Sequence, residues 1–206
     1  MMVNRNKLLI ATTNAAKITE YRLLLSQLHY QLTTPVEEEI SLVVNETSNS
    51  YRQNAKLKAL AYAQYSCLTT IADDSGLEVD ALNGMPGVLS ARFAGELATD
   101  ADNVRLLLSK LKDVPWNKRT ARFTCVIAIA NSRGKVELCN GNCSGIITFE
   151  PVGDSGFGYD PIFYLPELKK TMSELSQQRK NEISHRSKAA LKARQILKQS
   201  HFTDCP

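Results

Sequence analysis

The chain has 206 residues, of which 43% are hydrophobic and 22% charged, and its formal net charge is +4. These values are typical of one soluble domain that builds a full core without disulfides or a structural metal. The charge suits an anionic ligand such as a nucleotide, but it is too small for a nucleic-acid coat protein. No apolar run approaches the roughly 20 residues of a membrane span, and Leu8–Ala11 is too short for a signal peptide. We therefore expect a cytoplasmic protein with neither membrane nor nucleic acid as a partner.

The chain opens with a short apolar strand, Lys7 to Ala11, followed by a helix. Thr12-Thr13-Asn14 supplies N-cap chemistry, and apolar residues recur at helical spacing from Ile18 to Leu28. A capping box at Ser50-Tyr51-Arg52-Gln53 predicts a second helix that runs to Tyr65, with Leu57, Leu60 and Ala61 on one face.

Strands dominate the middle of the chain. A short strand should end at Asp73 and Asp74, and a helix is predicted from Asp100 to Leu111. Arg122–Ala130 has the continuous apolar core of a buried strand. Val136–Cys139 and Gly145–Phe149 should form a hairpin around a Gly141-Asn142 turn.

A second capping box at Thr171–Glu174 precedes a final helix, Ser187 to Gln199, with Ala190, Ala193 and Leu197 inward. Helices mixed with both isolated strands and hairpins predict an α/β fold with a mixed sheet. The cysteines are odd in number and the histidines are scattered, so neither a disulfide framework nor structural zinc is expected.

Two adjacent carboxylates, Asp73 and Asp74, follow the apolar Ile71-Ala72 and precede Ser75. Burying two carboxylates is costly without partners. Mg²⁺ is usually bound through one or two carboxylates together with substrate phosphates, so the pair favours a magnesium site. A solvated turn after a strand is the alternative for this segment alone.

A second candidate is the segment Thr12-Thr13-Asn14-Ala15-Ala16-Lys17, where a strand passes into a helix. A helix N-terminus offers free N–H groups and a positive dipole end to phosphate oxygens, and Lys17 adds a charge. The segment lacks the glycines and the terminal Gly-Lys-Ser/Thr of a P-loop. Taken alone, it is also consistent with an ordinary capped helix start.

The loop Gly153–Pro161 is rich in glycine. Phe157 and Tyr159 offer π faces on which a base can stack, and Asp160 can accept hydrogen bonds from a base or sugar. A bulged hairpin with aromatic packing is the alternative. Lys180 and the Ser184-His185-Arg186 run could line a pocket, or they could form a solvated helix start.

Together these segments resemble the inosine triphosphate pyrophosphatase family, the Ham1/RdgB-type non-standard purine nucleoside triphosphate pyrophosphatases. The resemblance rests on six segments that occur in family order: Ala11-Thr12-Thr13-Asn14-Ala15-Ala16-Lys17, Asn54-Ala55-Lys56-Leu57-Lys58-Ala59, Ile71-Ala72-Asp73-Asp74-Ser75-Gly76-Leu77, Pro86-Gly87-Val88-Leu89-Ser90-Ala91-Arg92-Phe93, Gly156-Phe157-Gly158-Tyr159-Asp160-Pro161 and Ile183-Ser184-His185-Arg186.

The resemblance implies a single domain over residues 1–206, with two lobes around an active-site cleft and a long twisted mixed sheet. It implies a homodimer. It also implies Mg²⁺-dependent hydrolysis of ITP, dITP and XTP to the monophosphate and pyrophosphate, which removes these nucleotides from the pool.

The resemblance also assigns roles to residues. Asp74 would be a metal ligand and proton acceptor assisted by Asp73, with Lys58 near the phosphates and Glu46 as a second metal ligand. Glu37, Glu38 and Glu39 compete with Glu46 for that role. The remaining expected substrate contacts are Thr12, Thr13, Asn14, Ala15, Ala16 and Lys17 for the triphosphate, Ser75, and, around the nucleoside, Phe157, Gly158, Tyr159, Asp160, Lys180, His185 and Arg186.

One position departs from the family pattern: Thr13 stands where the first loop usually has glycine, which could alter phosphate affinity. A module that senses triphosphates without cleaving them is the alternative function, and metal-dependent pyrophosphate release would discriminate the two. An RNA-binding protein that uses the basic C-terminal helix is a further alternative, which steeply salt-dependent polynucleotide binding would reveal.

Overall fold

The computed structural model describes residues 6–199, which form seven β-strands and five α-helices. The strands are β1 Lys7–Ile10, β2 Gln31–Thr33, β3 Thr69–Val79, β4 Thr120–Ala130, β5 Val136–Ile147, β6 Phe163–Leu165 and β7 Lys170–Thr171. The helices are α1 Ala15–Leu24, α2 Tyr51–Ser66, α3 Asp100–Lys110, α4 Gln177–Ile183 and α5 His185–Lys198. None of the helices within this range is long and apolar enough to cross a lipid bilayer.

The strands form one open mixed sheet in the order β2-β1-β3-β4-β5-β6-β7. β1 pairs in parallel with both β2 and β3, whereas β6 pairs antiparallel with β5 and β7. The predicted α/β class with a mixed sheet is therefore confirmed.

Contacts divide the chain into two compact units. Among the described residues, the first unit comprises 6–74, 125–141 and 188–199, and the second comprises Ser75–Thr124 and Asn142–Ser187. The three long strands β3, β4 and β5 each contribute residues to both units.

The first unit buries apolar residues on both faces of its strands, as the two-residue period of a strand requires. On one face Leu8, Ile10 and Ile71 pack with α1 and α5. On the other face Leu9 and Ala72 pack with the small side chains of α2. In the second unit, α3 and the segment from β6 to Met172 pack on β3, β4 and β5 residues.

Several predicted elements are confirmed, including β1 and its helix, the Thr171–Glu174 capping box and the inner face of α5. The hairpin around Gly141-Asn142 was wrong, because Val136–Ile147 is one continuous strand. Gly145 lies within that strand, where an added Cβ would lie 2.6 Å from the Phe163 ring. The missing side chain of Gly145 therefore lets β5 pack closely against β6.

Helix α2 starts directly after Ser50, as predicted, but its cap and its buried face differ from the predicted ones. Ser50 is the N-cap residue, but its side chain makes no capping hydrogen bond. The buried face carries Asn54, Ala55, Ala59, Tyr62 and Ala63, whereas Leu57 is 47% exposed. The three alanines on this face let the helix lie close to the sheet.

Candidate functional site

Five charged side chains of the first unit form a group that we call the carboxylate cluster: Glu46, Asp73, Asp74, Lys17 and Lys58. Asp73 is 1% and Asp74 7% exposed. Lys17 Nζ lies 2.9 Å from Asp73 Oδ2, and Lys58 Nζ lies 2.5 Å from Glu46 Oε1. Asp74 Oδ2 instead accepts a hydrogen bond of 2.9 Å from the neutral amide of Asn54.

The two aspartates lie in the middle of β3, so the prediction that the strand ends at them was wrong. Adjacent strand residues point to opposite faces, which sends Asp73 toward Lys17 of α1 and Asp74 toward Asn54 of α2. These partners make burial tolerable and outweigh the poor strand propensity of aspartate.

Burial raises the pKa of Asp74 above its usual range; the Asn54 hydrogen bond opposes this shift and the nearby Glu46 carboxylate adds to it. Burial alone would lower the pKa of Lys58, but the charges of Asp73, Glu46 and Asp74 outweigh it and raise that pKa. Lys58 is therefore a permanent cation, whereas Asp74 is a carboxylate with enhanced proton affinity.

The structure separates Glu46 from two of its three competitors, Glu37 and Glu38. Glu37 Oε1 lies 2.6 Å from Arg22 and Glu38 Oε1 lies 2.7 Å from Lys7, whereas Glu46 belongs to the carboxylate cluster. Among residues 6–199 no group of three or more histidine, cysteine, aspartate or glutamate side chains is arranged to hold a metal. Asp74 and Glu46 nevertheless suit Mg²⁺, since their mutual repulsion would be relieved by a cation whose other ligands come from substrate phosphates.

The predicted phosphate segment caps α1. Asn14 Oδ1 accepts from Lys17 N at 3.1 Å, and Thr12 Oγ1 accepts from Asn14 N at 3.2 Å. Thr13, Asn14 and Ala15 are exposed, and Ala16 is half-buried. Thr13 is not among the residues with positive φ, so its side chain causes no backbone strain where the family pattern has glycine.

In the second unit, Phe157, Asp160, Lys180 and Arg186 form what we call the aromatic cluster. Lys180 Nζ lies 2.6 Å from Asp160 Oδ2, and both side chains are 4% exposed. The half-buried Phe157 ring has Lys180 Nζ 4.8 Å and Arg186 Cζ 5.4 Å from its centroid. Such distances allow cation–π attraction, so the two cations hold this ring.

The loop backbone is fastened to the same carboxylate. Phe157 N donates to Asp160 Oδ2 at 3.0 Å. Gly156 has φ +85°, and an added Cβ would clash with Asp160 Oδ2. Gly158 N donates to Asp100 Oδ2 at 2.7 Å, on the first turn of α3.

Two predicted nucleoside contacts are occupied within the protein. The Tyr159 ring is buried, its hydroxyl donates to Ser90 O at 2.9 Å, and burial raises its pKa. The Asp160 carboxylate is engaged by Lys180 and Phe157 N. Through these contacts Tyr159 and Asp160 support the loop, and their predicted contacts with the nucleoside stay predictions.

Contacts within the second unit orient His185, Arg186 and Ser75. The buried His185 ring stacks on Phe123, with centroids 4.7 Å apart and planes 14° apart. Arg186 Nη2 donates to Ser75 Oγ at 3.1 Å. Sequence reasoning missed Phe123 and Asn54, although a lone amide among the alanines of the inner face of α2 was a usable clue.

Comparison with known proteins gives consistent results. The sequence model of the Ham1 family matches residues 8–196. A dITP/XTP pyrophosphatase of Desulforamulus reducens is 50% identical over 196 residues, which cover 95% of this chain and 98% of that protein. A second dITP/XTP pyrophosphatase, from Halalkalibacterium halodurans, is 43% identical over 178 residues, which cover 86% of this chain and 92% of that protein.

Solved structures agree with the sequence comparisons. A HAM1 protein from Coxiella burnetii has a TM-score of 0.86 at 38% identity and covers 94% of this chain and 99% of its own. The Staphylococcus aureus Ham1 protein has a TM-score of 0.84 at 40% identity, and the match covers 94% of this chain and 98% of that protein.

Proposed function

The chain belongs to the Ham1 family, and from this we propose that it hydrolyses ITP, dITP and XTP to the nucleoside monophosphate and pyrophosphate in the cytoplasm. The observation that carries the proposal is the carboxylate cluster, in which buried carboxylates and two lysines combine proton acceptance with phosphate binding. The names of the curated relatives supply the substrate class.

The reaction is an attack of water on the α-phosphorus. Asp74 accepts the water proton as the new P–O bond forms, and the bond from the α-phosphorus to the bridging oxygen breaks and releases pyrophosphate. Asp74 faces Asn54, a neutral partner, whereas the Asp73 carboxylate is held by the Lys17 cation, so we assign proton acceptance to Asp74. Asp73 thus assists by fixing Lys17.

Asp74 and Glu46 would hold Mg²⁺. When bound, the ion neutralises phosphate charge and favours the leaving group. Lys17 and Lys58 supply further positive charge from the protein, and Lys58 keeps its charge because carboxylates surround it. At the N-terminus of α1 the backbone N–H groups of Ala15 and Ala16 would face the triphosphate, since those of Asn14 and Lys17 already bond to Thr12 Oγ1 and Asn14 Oδ1.

The aromatic cluster would bind the base. The Phe157 ring can stack on a purine. The 6-oxo group of ITP and XTP is an acceptor, whereas ATP presents a 6-amino donor there. Arg186 carries only donors, so a donor facing the 6-position would reject ATP. GTP shares the 6-oxo group, and its rejection must come from the 2-position.

A panel of nucleoside triphosphates incubated with purified protein, with products identified by chromatography, tests the proposal. We expect pyrophosphate and monophosphate from ITP, dITP and XTP, little product from ATP and GTP, and no turnover after chelation of divalent cations. Binding without cleavage would contradict the proposal and favour the sensing module.

We also propose that the protein is a homodimer. Sedimentation at micromolar concentration should give about twice the 22.9 kDa chain mass. A monomer across that concentration range would contradict this.

A further inference from the structure

A buried asparagine of α2, Asn54, is hydrogen-bonded to the aspartate that the proposed reaction uses. Asn54 is 1% exposed and lies in the first turn of the helix. Nδ2 donates to Asp74 Oδ2 at 2.9 Å and to Ser48 O at 3.0 Å, while Oδ1 accepts from Ser48 N at 3.0 Å. The carboxamide therefore uses both of its hydrogens and its oxygen.

Only a primary amide in this orientation satisfies all three partners. The nitrogen must face the two acceptors, Asp74 Oδ2 and Ser48 O, and the oxygen must face the Ser48 N–H. An aspartate at this position would place a second carboxylate against Asp74, and an alanine would remove every one of these bonds.

The same helix also holds the second carboxylate. Lys58 lies one turn after Asn54, at the spacing that places two side chains on one helix face. Its Nζ donates to Glu46 Oε1 at 2.5 Å. Ser48 follows Glu46 by two residues, so Asn54 fastens the Glu46 segment as well as Asp74.

We infer that Asn54 is a positioning residue that orients the Asp74 carboxylate and sets its separation from Glu46 for a divalent cation. This inference rests on the proposed function. The side-chain hydrogen bonds of Asn54 go to Ser48 and Asp74 and not to the phosphate segment, so nucleotide affinity should not depend on it.

A matched control exists in the second unit. Asn103 is also buried, lies in the first turn of α3, and fastens a neighbouring loop. Its Oδ1 accepts from Ala94 N at 2.8 Å and its Nδ2 donates to Ala91 O at 3.2 Å. Alanine at either position removes a buried amide and its loop contacts, but only Asn54→Ala removes a hydrogen bond to Asp74.

The test compares Asn54→Ala with Asn103→Ala in three measurements: thermal unfolding, ITP turnover and Mn²⁺ binding. Electron paramagnetic resonance measures the concentration of free Mn²⁺ and so reports binding without any turnover. Both variants should lose thermal stability. Asn54→Ala should lower kcat and weaken Mn²⁺ binding, each by about 10–100-fold, with the ITP KM changed by less than about two-fold. Asn103→Ala should keep the parent kcat and Mn²⁺ affinity.

Equal kcat losses in the two alanine variants, or an unchanged kcat in Asn54→Ala, would overturn the inference. If Asn54→Ala does not fold, Asn54→Asp replaces it, because the carboxylate still accepts from Ser48 N but donates nothing to Asp74. If Asn54→Asp folds and keeps the parental kcat, the inference is overturned. It is also overturned if Asn54→Ala and Asn54→Asp both fail to fold while Asn103→Ala folds. If the parent protein itself releases no pyrophosphate from ITP, the proposed function fails, and the Mn²⁺ titration then decides the inference separately.

Discussion

The carboxylate cluster and the aromatic cluster both bury charged side chains, but negative groups are more numerous in the first and positive groups in the second. In the first unit, the carboxylates of Glu46, Asp73 and Asp74 outnumber the lysines by one, and the partner of Asp74 is a neutral amide. The aromatic cluster of the second unit comprises two cations, Lys180 and Arg186, which flank an aromatic ring, and one carboxylate, Asp160.

The difference fits the division of tasks that we propose for the two clusters. Burial, together with the nearby Glu46 carboxylate, raises the pKa of Asp74, and an excess of buried carboxylate favours binding of a proton or a metal cation. An excess of cation beside a π face attracts a flat group that carries acceptor oxygens, such as an oxopurine. We therefore expect substitutions in the carboxylate cluster to affect turnover most, and substitutions in the aromatic cluster to affect stability or base selection.

The largest effect should follow Asp74→Asn. The amide still accepts the hydrogen bond from Asn54 but cannot take a proton, so kcat for ITP should fall by about 10²–10⁴-fold with the fold retained. Turnover assays and circular dichroism measure the two quantities. The exposed Asp113→Asn is the control and should behave as the parent. Parental kcat in Asp74→Asn would remove the proton acceptor from the account.

Stability should dominate the response of the aromatic cluster to Lys180→Met. Removing one partner of a buried ion pair costs about 3–5 kcal/mol, because Asp160 keeps a buried charge. In urea unfolding, the double variant Lys180→Met with Asp160→Leu should lose less unfolding free energy than Lys180→Met alone. The half-exposed pair of Arg179 and Glu182 is the control, and Arg179→Ala should cost under about 1 kcal/mol.

The sequence predicted the class of fold because periodicity and caps are local. The capping box at Thr171 and the apolar face of α5 formed as expected. Local propensity failed where distant partners decide: Asp73 and Asp74 remain in a strand because Lys17 and Asn54 neutralise or bind them. The resemblance supplied candidate site residues, but only the structure separates the half-buried Phe157 from the buried Tyr159.

That separation yields a paired prediction. Phe157→Ala should weaken nucleotide binding by about 1–3 kcal/mol, the range of base–aromatic stacking, and raise KM accordingly. Tyr159→Phe removes only the hydroxyl that donates to Ser90 O, so it should lower stability by about 1 kcal/mol and leave KM unchanged. A KM increase confined to Tyr159→Phe would reverse the assignment.

Base selection provides a finer test of the aromatic cluster. Arg186→Ala should lower kcat/KM for ITP and narrow the ITP-to-ATP ratio by roughly ten-fold, equivalent to about 1.4 kcal/mol. The ITP-to-GTP ratio should change less, since both bases carry a 6-oxo group. If the variant keeps the parental ITP-to-ATP ratio, Arg186 does not read the 6-position.

The smallest effect concerns pH and stability. Because the folded pKa of Asp74 is raised, the native state holds its proton to higher pH than the unfolded state, and stability falls as pH rises through that pKa. With chelator present, Asp74→Asn should therefore melt above the parent at neutral pH, by about 2–4 °C for each 1 kcal/mol. This difference in melting temperature should disappear at pH values below the usual pKa range of carboxyl groups, where Asp74 is protonated in both the folded and the unfolded state. A constant difference at all pH values would contradict it.

Hydrolysis of ITP in ¹⁸O-labelled water tests the central claim most directly, because the label marks the phosphorus that water attacks. With Asp74 activating water against the α-phosphorus, mass spectrometry should find the label in inosine monophosphate and none in the released pyrophosphate. Label in inorganic phosphate, accompanied by inosine diphosphate, would place the attack at the γ-phosphorus and contradict the account.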